Sequence, residues 1–279
     1  MIANKFESVE VLMSTMNQKD ISFIDEMNIQ SDVVIINQTD NNGVCELKYN
    51  SFKILFISDI ARGLSKSRNL ALENATGDIC LLCDDDIQYV DGYVDIVKQA
   101  FNEIKNADII IFDSIITDRA GIVGTKGFKK IKRVPRYKTF SSVLIAFRRN
   151  KIIEKNIKFN TDFGTGSGKY NMCEDSIFLR DCYKNGLKAY IYPAVIHKCA
   201  YKKSTWFNGY DRKYFFDIGA YLAQSYGWIG KILKWYYPFR MKNLCDLSPY
   251  IMIHEVNNGM RGYKKRMGYN EYYRSKRNS

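Results

Sequence analysis

The chain has 279 residues, 46% of them hydrophobic, and a net charge of +12, enough for one large domain or a domain with an appendage. No stretch reaches the roughly 18 apolar residues of a membrane span, and the opening MIANKFESVE lacks an apolar signal core, so the expected location is cytoplasmic, or peripheral on the cytoplasmic face of a membrane. The seven cysteines are odd in number, and the nearest pair, Cys80 and Cys83, sits in an apparent strand with no second pair nearby; reduced, buried thiols are expected rather than a disulfide framework or zinc knuckle.

In chain order, VEVLMSTMNQ (9–18) reads as a buried strand ending in polar residues, DVVIINQT (32–39) as a second, and KILFIS (53–58) as a third. SKSRNLALENAT (65–76) has helical spacing, with Ser65 as its N-cap and Gly77 as its stop. DICLLCDDD is a fourth strand running into Asp84, Asp85 and Asp86. GYVDIVKQAFNEIKNA (92–107) is an amphipathic helix through Val94, Val97, Phe101 and Ile104, and DIIIFDSII (108–116) a fifth strand. Residues 119–138 hold eight basic residues and no acid and read as a mobile loop. SVLIAFRR (142–149) follows. A glycine-rich loop then leads into a helix beginning near Glu174, and AYIYPAVIH (189–197) is a last strand ending on His197. There is no internal repeat.

Strands alternating with helices imply crossovers and a mostly parallel sheet with flanking helices, an α/β fold. Ligands in such sheets bind outside the carboxyl ends of the strands. The segments STMNQ, NQTD and the acids 84–86 all lie at such ends, so they are expected to converge on one crevice. Three adjacent carboxylates repel one another and are costly to bury unless neutralised. Hard oxygen ligands at a strand end suit Mg2+ or Mn2+, which leaves positions open for substrate phosphates.

The segment ARGLSKSRNLALENATGDICLLCDDDI resembles the family 2 glycosyltransferases of the GT-A fold, a Rossmann-like architecture. Arg68, Asn69, Ala75, Gly77, Asp78, Asp84 and Asp86 fill that family's Arg-Asn, Ala-x-Gly-Asp and DxD places. VLMSTMNQ is similar to its first strand, with Thr15 and Asn17 matching and Ser14 and Met16 departing. FGTGSGKYNMCEDSIFLRD is similar to its acceptor-side glycine loop and Glu-Asp motif. The resemblance covers about residues 8–200. One departure counts: Asn37 and Gln38 stand where acids usually help hold the nucleotide base, although Thr39 and Asp40 survive, which leaves the base open.

The resemblance implies an inverting, metal-dependent enzyme that moves a sugar from a nucleotide-sugar, expected to be UDP-linked, to a glycan acceptor. That acceptor is expected to be a lipid-linked oligosaccharide for a bacterial surface polysaccharide such as capsule. It implies Asp84 and Asp86 with His197 as metal ligands. Thr15, Asn17, Asp40, Arg68, Asp84 and Asp85 would hold the nucleotide-sugar, Asp84 at the ribose and Arg68 at the diphosphate, where a guanidinium can bind phosphate bidentately. Asp175 would be the base that takes the acceptor's proton, with Glu174 positioning it or the acceptor. Gly164, Gly166 and Gly168 would let the backbone approach the acceptor. The basic loop 119–138 could fold over the diphosphate after donor binding or be a plain solvated loop.

Residues 1–197 hold 26 Lys/Arg against 25 Asp/Glu, whereas residues 198–279 hold 16 against 5. Nearly all the surplus charge therefore lies in the last third. A catalytic domain over 1–200 and a helical, basic, aromatic-rich extension over 201–279 are expected, the latter facing an anionic partner. Ile218, Tyr221, Leu222, Trp228, Ile229, Ile232, Leu233 and Tyr236 fall largely on one helical face, and RGYKKRMGYNEYYRSKR adds cations among tyrosines. This pattern suits an anionic membrane surface, or else a helix packed on the catalytic domain followed by a solvated tail. A nucleic-acid-binding protein would leave the acid triplet and the Glu-Asp motif unexplained, so no nucleic acid is expected. A nucleotidyltransferase would show a basic, glycine-rich first strand end, which STMNQ is not. A non-catalytic carbohydrate binder would not need acids at both sites.

Overall fold

The computed structural model describes residues 7–118, 121–200, 209–241 and 243–277. The chain forms two compact units. The first takes the chain up to Arg62, with Lys66–Phe159 and Phe178–Lys202; the second takes Gly63–Ser65, Asn160–Ile177 and the chain from Lys203 onward. The single division expected near residue 200 thus becomes an interleaved one, in which the glycine-rich loop counts with the C-terminal helices.

The elements up to residue 200 are β1 (Val9–Met16), α1 (Phe23–Glu26), β2 (Asp32–Gln38), β3 (Gly43–Tyr49), β4 (Phe52–Asp59), α2 (Leu64–Asn74), β5 (Ile79–Asp84), β6 (Ile87–Tyr89), α3 (Tyr93–Glu103), β7 (Ile109–Asp118), β8 (Gly121–Thr125), β9 (Lys132–Arg133), β10 (Ile145–Arg148), α4 (Arg149–Glu154), α5 (Glu174–Lys184) and β11 (Ala189–Ala200). The described strands form one sheet in the order β3-β4-β2-β1-β5-β10-β7-β11-β6, with β8 on β7 and β9 on β11. Neighbours among β4, β2, β1 and β5 are parallel, as are β7 and β11; the remaining pairs are antiparallel.

Side chains alternate faces along a strand, and here both faces are covered. Val11, Met13, Val33, Ile35 and Leu81 pack with Tyr93, Val97 and Phe101 of α3. Leu12, Val34, Ile36 and Leu82 pack with Ala71 and Leu72 of α2 and Phe178 and Leu179 of α5. This double burial is why the central strands read as continuous apolar runs. Cys80 and Cys83 point into these cores as free thiols, and burial pushes both well above the ordinary thiol range.

Three local expectations are corrected. Helix α2 begins at Leu64, so Ser65 lies inside it, and its hydroxyl donates to the Phe163 carbonyl at 2.7 Å instead of capping the helix. Gly77 does not adopt the left-handed conformation of a helix stop. It is required because Glu10 crosses it: an added Cβ would lie 2.6 Å from Glu10 Cβ, and the Glu10 carboxylate accepts from the Thr76 and Gly77 amides, each at 2.7 Å. The basic segment is anchored rather than loose. Lys132 and Arg133 pair with β11, Val134 N donates to the Ala189 carbonyl at 2.8 Å, and Tyr183 bonds the Lys138 carbonyl. Arg119 and Ala120 lie outside the described residues.

In the second unit, α6 (Arg212–Tyr226), α7 (Gly230–Leu233), α8 (Tyr236–Met241), α9 (Pro249–Lys264) and α10 (Tyr269–Arg277) enclose a core of Phe163, Tyr170, Phe215, Phe216, Met252, Val256 and Tyr272. Asp211 caps α6, and Ser248 caps α9 ahead of Pro249. The α6 and α9 backbones touch: a Cβ at Gly259 would lie 1.8 Å from the Phe216 carbonyl oxygen. The apolar stripe expected along 218–241 is divided. Ile218, Tyr221 and Leu222 are buried, α6 stops at Gly227, and Trp228, Ile229, Ile232 and Tyr236 are exposed. Residues 261–277 end α9 and form α10, which packs by Tyr272; the last two residues lie outside the described ones. Among the described residues no helix is long and apolar enough to cross a membrane.

Candidate active site

In the first unit the carboxyl ends of the parallel strands come level. Ser14 stands opposite Asp84, Thr15 opposite Asn37, and Gln38 opposite Asp59. Strand β5 ends on Asp84, and Asp85 and Asp86 form the exposed turn into β6. The three polar segments picked out in the sequence do therefore share one edge.

Hydrogen bonds tie this edge together. The Thr15 hydroxyl donates to the Asp85 carboxylate. Gln18 Nε2 donates to Thr15 Oγ1 at 3.1 Å. Asn37 grips the Gln18 backbone both ways, accepting from its amide and donating to its carbonyl, each at 2.9 Å. Asn37, one of the two residues standing where an acid is usual, thus holds the end of β1 in place. Asn17 is exposed with a left-handed φ of 55°, its amide on the Gln38 carbonyl. Asp40 is exposed and pairs with Arg62.

Arg68 is not a surface cation. Its side chain is 2% exposed and stacks over Phe159 at 5.5 Å. Its Nη2 donates to Asp84 Oδ1 at 3.1 Å and to Ser142 Oγ at 2.7 Å. The first carboxylate of the triplet, itself half-buried, is therefore held by a buried guanidinium in a charge-assisted contact. Asn69 clamps the Phe159 backbone in both directions, at 2.8 and 2.9 Å, which sets the ring under Arg68.

His197 lies on β11, paired with Tyr89 of β6, and is fully buried, with the Tyr89 ring edge-on at 6.2 Å. Neither ring nitrogen has a hydrogen-bond partner among the described residues. Burial pushes its pKa down to about 4, although the Asp113 charge pulls the other way. The ring is thus neutral at physiological pH, the form in which histidine ligates metals. Asp113 itself accepts the Ser114 and Lys126 amides at 2.8 Å and that of Phe128 at 3.1 Å, anchoring the start of the basic segment.

Among the described residues no three His, Cys, Asp or Glu side chains stand close enough to enclose a metal ion. The carboxylate run still fits a magnesium-like cation, which takes one or two carboxylates and completes its shell with phosphate oxygens and water.

In the second unit, the glycine loop leads to the Glu-Asp pair at the start of α5. Gly164, Gly166 and Gly168 all have positive φ, at 101°, 74° and 80°. A Cβ at Gly164 would lie 3.1 Å from Glu174 Cγ and from Ser65 Oγ, and one at Gly166 would lie 3.2 Å from Gly63 Cα. These two glycines are thus required by the protein's own packing, whereas Gly168 faces open space. The loop is further held by Asp217, whose carboxylate accepts the Asn171 amide at 2.9 Å and pairs with Lys213 at 2.6 Å. Tyr170 bonds the Met267 carbonyl at 3.0 Å. Glu174 and Asp175 are half-buried in the first turn of α5, where the helix dipole favours carboxylates.

Sequence reading missed Ser142, Asp113 and Asp217, and the structural roles of Gln18 and Asn37. Ser142 and Asp217 act on Arg68 and Asn171, 74 and 46 residues away in the chain. The clue available for Asp217 was a lone acid inside the apolar stretch FFDIGAYL.

The sequence profile described as glycosyl transferase family 2 matches residues 31–172, just over half of the chain. Among solved structures, the chain is similar to residues 1–349 of TarS from S. aureus in complex with UDP-GlcNAc. The identity is 13% and the TM-score 0.58, over 94% of this chain and 93% of that one. A complex of the same protein with UDP gives 14% identity and the same TM-score over the same shares. The longer TarS structure gives 15% identity and a TM-score of 0.52, over 93% of this chain and 43% of that one. No curated protein matches. At these identities the structures establish the likeness of fold.

Proposed function

The chain belongs to glycosyl transferase family 2, and we propose that it transfers a sugar from a UDP-linked donor to a glycan acceptor with inversion at the anomeric carbon. The observation that carries this reading is the carboxylate edge of the first unit: Asp84, fixed by Arg68, begins an acid run beside Thr15 at the carboxyl ends of parallel strands, where α/β sheets bind ligands. UDP is favoured by the fold likeness to a protein whose complexes hold UDP-GlcNAc and UDP.

Asp84 and Asp86 would hold a divalent cation that neutralises the diphosphate and the departing nucleotide. Asp84 and Asp85 orient the donor, and Arg68 holds Asp84 in place. Asp175 accepts the acceptor hydroxyl's proton as that oxygen bonds the anomeric carbon. The bond from that carbon to the diphosphate oxygen breaks, and its electron pair leaves with UDP. Glu174 positions Asp175 or the acceptor. The acceptor is a lipid-linked oligosaccharide of surface-polysaccharide synthesis, which places the enzyme at a membrane surface.

The test is a donor screen on the purified protein with Mn2+, reading nucleotide release. UDP-sugar hydrolysis that stops on chelation is expected. Release from no nucleotide-sugar, even with a lipid-extract acceptor, sinks the reading; release that survives chelation removes the cation from it.

A further inference from the structure

We propose that the surface built by Trp228, α7 and α8 is the seat by which this protein rests on an anionic lipid surface. The inference takes only the membrane location from the proposed function and stands on residues of the second unit alone.

Large apolar side chains are exposed there in close succession: Trp228 at 71%, Ile232 at 63%, Trp235 at 50%, Tyr236 at 53% and Phe239 at 75%. Single exposed apolar residues are ordinary, but a run of them marks an interaction surface. The local fold makes the display. After Gly227 the chain breaks into two short helices, which turn Leu233, Tyr237 and Met241 to the core and leave the intervening rings outside.

Charge selects the occupant. Between Asp217 and Asp246 the sequence has no acid, while it has Lys231, Lys234, Arg240 and Lys242. The Lys234 ammonium lies 5.2 Å over the Trp235 ring. Arg240 lies 5.8 Å over Tyr236 and donates to its hydroxyl at 2.8 Å. Amphipathic rings beside cations match the boundary between headgroups and acyl chains, where rings enter the apolar layer and cations meet lipid phosphates. A second copy of this chain would bring the same positive charge to the contact.

Full-length protein is mixed with phosphatidylcholine vesicles with and without phosphatidylglycerol, at low and high salt. Binding is read by co-sedimentation and by tryptophan emission. Binding to the anionic vesicles at low salt, with a blue shift from Trp228 and Trp235, is expected. The triple variant Trp228→Ser, Trp235→Ser, Phe239→Ser alters only outward side chains and should bind at least tenfold more weakly, with its circular dichroism unchanged. A Lys or Arg near an anionic surface strengthens binding about fivefold, so Lys231→Glu with Arg240→Glu should also lose at least about tenfold. Nucleotide-sugar hydrolysis in solution should be unchanged in both variants. Undiminished vesicle binding by both variants overturns the proposal and moves the contact elsewhere. Failure of the full-length protein to bind anionic vesicles also overturns it, as does self-association abolished by the triple variant without any lipid binding. Vesicle binding by a protein that hydrolyses no nucleotide-sugar would sink the proposed function and leave this surface standing.

Discussion

The guanidinium of Arg68 meets the carboxylate of Asp84 at 3.1 Å from a site that is itself almost wholly sealed from water. A buried cation without its anion is the costly state, so the pair holds Asp84 aimed before any ligand arrives. Lysine cannot reproduce the fork that reaches both Asp84 and Ser142. Arg68→Lys is expected to lower donor turnover at least tenfold, and Arg68→Met to cost roughly 2 kcal/mol of stability as well. Urea unfolding and nucleotide release measure the two effects separately. A fully active Arg68→Lys enzyme would show that the geometry of the pair is immaterial.

Asp86 belongs to the exposed turn and has no assigned packing role. Asp86→Ala should therefore fold normally yet lose most Mn2+-dependent UDP affinity, as read by isothermal titration. UDP affinity equal to wild type in the presence of Mn2+ would take Asp86 out of the metal site.

For Asp175 the opposite split is expected. Asp175→Asn keeps the shape of the side chain but cannot accept a proton. Turnover should fall at least about a hundredfold while UDP affinity stays within a few-fold. Wild-type turnover in this variant would end its assignment as the base.

The parts of this molecule that could be read from sequence are those whose environment is uniform. Strands β1, β2, β4 and β5 are buried on both faces, so their apolar runs announce them, and the acids stand out by ending one of them. Strand β3 was missed because it is an edge strand whose side chains are largely exposed, and its hairpin turns at Asn50 in the left-handed region. The short strands β6 and β9 owe their form to β11, and β8 to β7, rather than to their own sequences. The same holds at the site: Thr15, Arg68 and the acid run were legible as a set. Ser142, which fixes Arg68 from 74 residues away, was not. In the last third, the apolar stripe was real, but which part becomes core depends on where α9 crosses α6.

His197 offers a pH test of burial. Its folded pKa of about 4 lies below the ordinary 6.5. Between these values the unfolded chain binds a proton that the folded chain does not, so the neutral ring's contribution is complete above about pH 6.5 and is lost as the pH falls through 4. In the presence of a chelator, wild type should lose about 2 kcal/mol more than His197→Gln between pH 7 and pH 4.5. Equal losses in urea unfolding at the two pH values would mean that the ring protonates without leaving its place.

The final prediction concerns the basic C-terminus, which on sequence alone invites deletion as a detachable anchor. The structure makes α10 part of the core. Tyr272 is buried, and its hydroxyl donates to Asn258 Oδ1 at 3.3 Å. Asn258 Nδ2 donates to the Tyr273 hydroxyl at 2.8 Å, and that hydroxyl donates to the fully buried Glu255. Deleting residues 261–279 would take the Tyr273 hydroxyl from Glu255 and both tyrosine hydroxyls from Asn258 of α9, at about 1–3 kcal/mol for each group left unsatisfied, besides the lost packing. That deletion should therefore yield misfolded protein rather than soluble enzyme. Tyr272→Ala should cost roughly 3 kcal/mol. Replacing the outward Lys264, Arg274 and Arg277 with glutamine removes charge without touching the core, and stability should stay within about 0.5 kcal/mol. Urea denaturation of the two variants decides between packing and charge as the purpose of α10. If Tyr272→Ala unfolds at the wild-type midpoint, the helix is an appendage after all, and the truncated enzyme should be soluble and active.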